Sequence, residues 1–134
     1  MKDYLGDLLI RIKNAQKARL GEALMHTHLP KQYIKILRIL YKEGYIRGHQ
    51  EHWDALNKKL VIKVLLKYSL RGEPVIENIF RVSAPGRRIY VSNKALWQPK
   101  TGKGLFVLST PKGFLIDRDA RLLNVGGELL FGLY

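Results

Sequence analysis

The sequence predicts an α+β chain, and three observations carry that expectation. Apolar residues recur at helical spacing in two segments before Gly44. After Gly44 the hydrophobic period becomes that of β-strands, and one short helical segment, opened by Asp117, returns near the end.

The first helix is expected over about Asp3–Ala18, because Leu5, Leu8, Leu9 and Ile12 fall at i, i+3, i+4 and i+7 while Arg11, Lys13 and Lys17 take other faces. Asp3 and Asp7 suit the positive end of its dipole. Gly21 closes this region, and Leu24–Leu29 reads as a short strand. Pro30 fits the first turn of a second helix running to about Glu43, with Gly44 as its stop. Ile34, Leu37 and Tyr41 are expected on its buried face, with Ile36 and Leu40 beside them.

Tyr45-Ile46 opens a strand, and the stronger Leu60–Tyr68 strand follows through the turn-prone Asn57-Lys58-Lys59. A chain of 134 residues suits one compact unit or two small lobes. Arg71-Gly72 followed by Pro74 places the best boundary there, giving lobes 1–69 and 70–134. Beyond it come strand Val75–Val82, a Ser83–Gly86 turn, strand Arg87–Val91, a helical turn near Asn93–Trp97 and a polar loop Gln98–Gly104. Strand Leu105–Leu108, a turn at Pro111 and Gly113, a helical piece from Asp117 to about Leu123 and strand Glu128–Tyr134 complete the chain.

Twenty-four Lys and Arg stand against eleven Asp and Glu, a net charge of +13 that points to a polyanionic partner. Both halves are basic: residues 1–67 hold 14 basic and 6 acidic side chains, and residues 68–134 hold 10 and 5. The longest basic runs are the pairs Lys58-Lys59 and Arg87-Arg88, so the charge belongs to folded faces and not to a polybasic tail or a single membrane-binding helix. No apolar run approaches the roughly 20 residues needed to span a bilayer, and the start has no signal-peptide pattern. The absence of cysteine removes disulfide and thiolate chemistry.

The segment Gly104-Leu-Phe-Val-Leu-Ser-Thr-Pro-Lys-Gly113, then Asp117-Arg-Asp-Ala-Arg121 and Gly126-Gly-Glu128, places hydroxyls and bare backbone at the rim of a sheet. In so basic a chain, this is where RNA would be read closely. Ser109 and Thr110 can each donate and accept, so they suit a base edge, a phosphate or a 2′-hydroxyl; closing a turn through the backbone is the alternative. Gly126 and Gly127 permit close approach of RNA or supply positive φ. Lys103, Lys112, Arg87, Arg88, Arg118 and Arg121 are the candidates for phosphate contacts.

The whole succession resembles the family of the eighth protein of the small ribosomal subunit, ribosomal protein S8, in its bacterial and organellar type. Asp3-Tyr-Leu-Gly-Asp7, Arg11-Ile-Lys-Asn14, Gly44-Tyr-Ile46, Arg81-Val-Ser-Ala-Pro-Gly-Arg-Arg-Ile-Tyr90 and the C-terminal pattern carry the resemblance, which covers nearly the whole chain. It implies an N-terminal lobe of two helices on a small sheet and a C-terminal lobe of mostly antiparallel strands with a short helix. It also implies a non-catalytic protein, without cofactor or small-molecule substrate, that binds the central domain of small-subunit rRNA early in assembly beside neighbouring ribosomal proteins. Tyr90, Ser109, Thr110, Gly126, Gly127 and Glu128 match the family's RNA-contacting positions, Tyr90 to stack on a splayed base, with a core place at a strand end as the alternative, and Glu128 to orient basic groups or accept from a base amino group, with a plain solvated acid as the alternative. Recognition is therefore expected in the C-terminal lobe, with the N-terminal lobe adding non-specific affinity.

The chain departs from that family at Pro111, where a third small hydroxyl residue is usual, and at Phe114 and Ile116, where the family has a smaller aliphatic residue and threonine. The lost hydroxyls lean the reading toward a mitochondrial ribosome, with bacterial and plastid ribosomes as alternatives. Other chemistries fit poorly. Gly102-Lys103-Gly104 lacks the first glycine and the hydroxyl of a phosphate loop, and His26, His28, His49 and His52 lack a matching carboxylate for a metal site. Asp117, Asp119 and Glu128 would serve a magnesium-dependent nuclease, but Asp117 reads better as a helix N-cap and Asp119 as a first-turn acid.

Overall fold

Two antiparallel sheets organise the chain, which the computed structural model describes over residues 4–27, 30–92 and 104–134. His28, the segment Asn93–Trp97 and Lys103 lie outside the described residues. The chain divides into two compact units, Asp7–Ile76 and Glu77–Tyr134, the second also taking in the first residues of the chain.

In the first unit β1 (Glu22–Thr27) and β2 (Ile46–Asp54) flank a central β3 (Lys59–Leu66). Burial alternates strictly along β1, with Ala23, Met25 and Thr27 inward, as a sheet covered on one face requires. Helix α1 (Tyr4–Lys17) buries Leu8, Leu9, Ile12 and Ala15. The side chain of its Gln16 donates to the Lys67 carbonyl at 3.4 Å, and its Arg11 donates to the Leu24 carbonyl at 3.3 Å. Helix α2 (Pro30–Lys42) packs on β2 and β3 through Tyr33, Ile36, Leu37 and Leu40 and stops at Gly44, whose φ is +83°. The expected buried face of α2 needs correction: Tyr41 is exposed and Tyr33 takes the inward place. Tyr33, Leu37 and Leu40 share the i, i+4, i+7 stripe, which the aliphatic run around Ile34 obscured.

Between β2 and β3 the Asp54 carboxylate accepts from the Leu56 and Asn57 amides and from the Asn57 side chain at 2.8 Å. The Asn57 side-chain hydrogen bond, the strongest influence on it, holds the Asp54 carboxyl below its usual range. Arg71-Gly72-Glu73-Pro74 is a turn inside the first unit. The Ser69 hydroxyl accepts from the Arg71 and Glu73 amides, Val75 donates to the Lys67 carbonyl, and Tyr68 pairs with Pro74. The division between the compact units falls after Ile76, a few residues beyond the boundary drawn at residue 69. Gly and Pro mark chain reversal as readily as they mark a linker.

The second unit is built around β8 (Gly127–Leu133), which pairs with β6 (Leu105–Thr110) on one side and with β4 (Ile79–Arg81) and β5 (Tyr90–Val91) on the other. Strand β7 (Gly113–Ile116) joins β6 through Pro111-Lys112. Proline suits the fixed φ of such a turn, and Gly113 takes φ +105°. β7 is absent from the sequence expectation, because four residues between a turn and a helix are too few to show a period. The expected strand Val75–Val82 shrinks to β4. Helix α3 (Asp117–Leu122) covers one face of the sheet, where Ala120 joins Phe106, Leu108 and Leu129 in the core. Among the described residues no helix is long and apolar enough to cross a membrane.

Candidate nucleic-acid interface

Strand register brings three of the expected RNA-facing residues of the second unit, with Phe114, into one row. Tyr90 of β5 lies opposite Glu128 of β8, Glu128 opposite Ser109 of β6, and Ser109 opposite Phe114 of β7. Directly opposed residues share a face, so Tyr90, Glu128, Ser109 and Phe114 line four adjacent strands over about 14 Å, at about 4.8 Å per step. Their neighbours Leu108 and Leu129 point to the face packed by α3, which puts the row on the other face.

Each member offers a different chemistry. Tyr90 is 68% exposed, so its ring is a surface group and not part of the core. The Glu128 side chain is 13% exposed, and both its oxygens accept from the Arg88 guanidinium at 3.3 Å. That contact fixes a cation beside the tyrosine's strand at little entropic cost on binding. Ile89, between Arg88 and Tyr90, is held by the Ser83 hydroxyl, which accepts from the Ile89 amide at 2.9 Å and donates to the Ile89 carbonyl at 3.3 Å. Ser109 is half-buried and its hydroxyl makes no hydrogen bond among the described residues. Phe114, one of the departures from the S8 pattern, closes the row with an apolar ring. A two-residue turn after Thr110 places Phe114 opposite Ser109, and that signal was present in Thr110-Pro-Lys-Gly113.

Thr110 does other work. Its hydroxyl donates to the Gly113 carbonyl at 2.8 Å and accepts from the Lys112 amide at 3.1 Å, closing the β6–β7 turn. The Lys112 side chain is exposed at that turn. Gly127 is required for space: a Cβ there would overlap the Ser109 carbonyl oxygen and stand 3.1 Å from Thr110 Cα. The positive φ after α3 belongs to Asn124, at 56°, and not to the glycine pair; Gly126 leads into β8 half-buried.

This chain belongs to the ribosomal protein S8 family. The family model for ribosomal protein S8 matches residues 3–134. The chain is 46% identical over 130 residues to small ribosomal subunit protein uS8 of Erythrobacter litoralis, covering 97% of this chain and 95% of the relative. It is 43% identical to that of Brucella anthropi and 45% identical to that of Brucella ovis, each over 100% of this chain and 98% of the relative. The family is one of structural proteins of the small ribosomal subunit, not of enzymes. These relatives are bacterial and lend no support to the mitochondrial preference drawn from the missing hydroxyls.

Set against the S8-family expectation, the remaining arginines divide. Arg87 is exposed and donates to the Val82 carbonyl at 3.4 Å, across the turn closed by Ala84 and Arg87. Arg118 pairs with Asp119 at 3.6 Å, and Arg121 reaches Asp117 at 3.2 Å from one turn away. Asp117 is buried, 4% exposed, and also accepts from the Phe106 amide at 3.2 Å. It is the first helical residue, not the N-cap; Ile116 holds that place without a side-chain hydrogen bond. The carboxylate is drawn inward because Phe106 and Arg121 both need an acceptor there. Asp117, Asp119 and Glu128 thus each face an arginine, an arrangement that occupies the oxygens a magnesium ion would need. Among the described residues no cluster of three or more His, Asp or Glu is placed to hold a metal.

Proposed function

We propose that this S8-family chain binds small-subunit rRNA and reads it with the Tyr90–Glu128–Ser109–Phe114 row, acting as an assembly and structural component of the subunit. The observation that carries the reading is the row itself: an exposed tyrosine, a half-buried hydroxyl with no hydrogen bond among the described residues and an arginine fixed by a carboxylate, side by side across adjacent strands at one end of the sheet. Proteins read RNA where stacking is interrupted, by stacking on splayed bases and by hydrogen bonding to base edges and 2′-hydroxyls. Tyr90 supplies the stacking surface, Ser109 the two-way hydrogen bond, and Arg88 the charge. Arg87 and Lys112 serve phosphates at the two turns flanking the row, and Lys103, outside the described residues, is proposed for the same role. Arg118 has a weaker claim, and Arg121, which anchors Asp117, the weakest.

The RNA target proposed is an irregular helix of the central domain, and the bacterial relatives favour a bacterial-type ribosome in the cytoplasm. The test is binding to an isolated central-domain rRNA fragment, with sedimentation alongside small subunits as its cellular counterpart. About five phosphate contacts give a salt slope of roughly −3.5 to −4.5 in log K against log salt. A slope near zero, or equal affinity for an unrelated RNA of the same length, ends the proposal.

A further inference from the structure

Helix α2 carries a second basic surface of a different kind. Lys31, Lys35, Arg38 and Lys42 follow at i, i+4, i+7 and i+11, and at about 100° per residue they fall within an arc of about 60°. The buried residues Tyr33, Ile36, Leu37 and Leu40 centre on the opposite side of the same helix, so the stripe points away from the sheet it packs on. All four cations are exposed, and among the described residues none has an ion pair or a side-chain hydrogen bond. No Asp or Glu occurs anywhere in Pro30–Lys42.

Helix stability alone argues against this arrangement. Lys31 sits in the first turn, at the positive end of the dipole, where no acid accompanies it. Lys31 and Lys35 are like charges four apart, as are Arg38 and Lys42, and such pairs weaken a helix. Helix α1 shows the compensated alternative, with Arg11 on Asp7 at 3.0 Å one turn earlier. A continuous unpaired stripe about 16 Å long, at about 1.5 Å per residue, is what a regularly charged polyanion would neutralise.

We infer that the outer face of α2 is a second RNA-binding surface, which grips the phosphate backbone of a regular RNA helix without reading its sequence. This rests on the reading of the chain as an RNA-binding protein, but it concerns different residues and a different class of contact from the sheet row. Lys31, Lys35 and Lys42 act as point charges on phosphates, and Arg38 can bridge two phosphate oxygens.

The probe is a 16-base-pair RNA duplex without bulges, titrated with the full chain over a range of potassium chloride. The variant carries Lys31→Gln, Lys35→Gln, Arg38→Gln and Lys42→Gln. A control carries Lys13→Gln, Lys17→Gln, Lys58→Gln and Arg71→Gln, exposed elsewhere and equal in charge. Each lost phosphate contact flattens the slope by about 0.7–0.9, so the α2 variant should lose about 3 slope units and the control less than 1. Thermal melting of the α2 variant should be unchanged or higher. Equal slope losses in the two variants, or no loss in either, overturn the inference. If polyglutamate of equal charge displaces the duplex as well as RNA does, the occupant is an acidic protein and the RNA assignment fails. Failure of the sheet row is read separately, as an unchanged preference for the central-domain fragment over the duplex after Ser109→Ala with Glu128→Gln.

Discussion

The second unit and helix α2 spend positive charge in opposite ways. Around the sheet row Arg88 is held by Glu128, and on α3 Arg118 and Arg121 are held by Asp119 and Asp117. Along α2, which contains no carboxylate, four cations stand without an ion pair among the described residues. A paired arginine has already lost much of its rotamer freedom and part of its charge is offset, so it contributes geometry more than long-range attraction. An unpaired lysine contributes counterion release and little register. The contrast suggests how one chain of +13 net charge can divide the tasks of selecting RNA and holding it.

The largest effect should come from breaking the inward anchor of the second unit. Asp117→Ala removes the acceptor of the Phe106 amide and strands Arg121, whose side chain is about one-third exposed. Severing a buried pair costs about 3–5 kcal/mol, and the partial exposure of Arg121 places this case at the low end. Denaturant unfolding should show a loss of about 3 kcal/mol. A cost below about 1 kcal/mol would mean that the arginines of this unit are not structurally pinned, and the contrast with α2 would lose one side.

Gly127→Ala attacks the row through the backbone. The added Cβ overlaps the Ser109 carbonyl, and backbone cannot swing aside as a side chain can. Overpacking of this kind costs about 1–3 kcal/mol and should part β6 from β8 where Ser109 meets Glu128. Selectivity for the rRNA fragment and the melting temperature should fall together, whereas retention on the unbulged duplex should persist. A variant that melts like the parent but loses selectivity would instead return Gly127 to direct RNA approach.

Much of this architecture was legible in the sequence. The helices, the strong strand around Val61–Leu66 and the closing strand announced themselves by period, and the hydroxyl and glycine segments marked the ends of β6 and β8 that pair with one another. What stayed hidden depends on pairing across the chain. Nothing local to Phe114 says that it faces Ser109, and nothing local to Arg88 says that Glu128, forty residues away, will hold it. Asp117 was misjudged for the same reason: a cap is a local rule, and its real partner, the Phe106 amide, comes from another strand. The α2 stripe lies at helical spacing, but its meaning required knowing that the buried residues lie on the opposite side and that among the described residues no acid pairs with it.

Glu128→Gln tests the pinned arginine directly. The pair is half-exposed at the arginine end, so it stabilises the fold by only about 0.2–1 kcal/mol. Melting should move little. Selectivity should fall, since Arg88 is then free to leave its place beside Tyr90. The salt slope should stay constant or steepen slightly because net charge rises. A flatter slope would show that Arg88 acts as a phosphate cation even when paired.

The two adjacent hydroxyls should give effects that are each confined to one quantity, and these should fall in different measurements. Thr110 gives and accepts one hydrogen bond within its own turn, each worth about 0.5–1.5 kcal/mol net and nearer the lower figure at an exposed turn. Thr110→Val keeps the β-branched shape and should cost about 1 kcal/mol of stability, with affinity unchanged in the folded fraction. Ser109 has no such partner among the described residues and lies in the row itself, so Ser109→Ala should leave stability within about 0.5 kcal/mol. Its cost should appear in binding, about 0.5–1.5 kcal/mol for one hydrogen bond to RNA. The sequence treated the pair as equivalent readers, and strand alternation separates them, because successive side chains point to opposite faces. Measuring melting and affinity on the same preparations decides the matter. If Thr110→Val weakens binding more than it weakens the fold, the turn opens on RNA contact and both hydroxyls belong to the interface; if Ser109→Ala changes neither, the row reads RNA through Tyr90 and Arg88 alone.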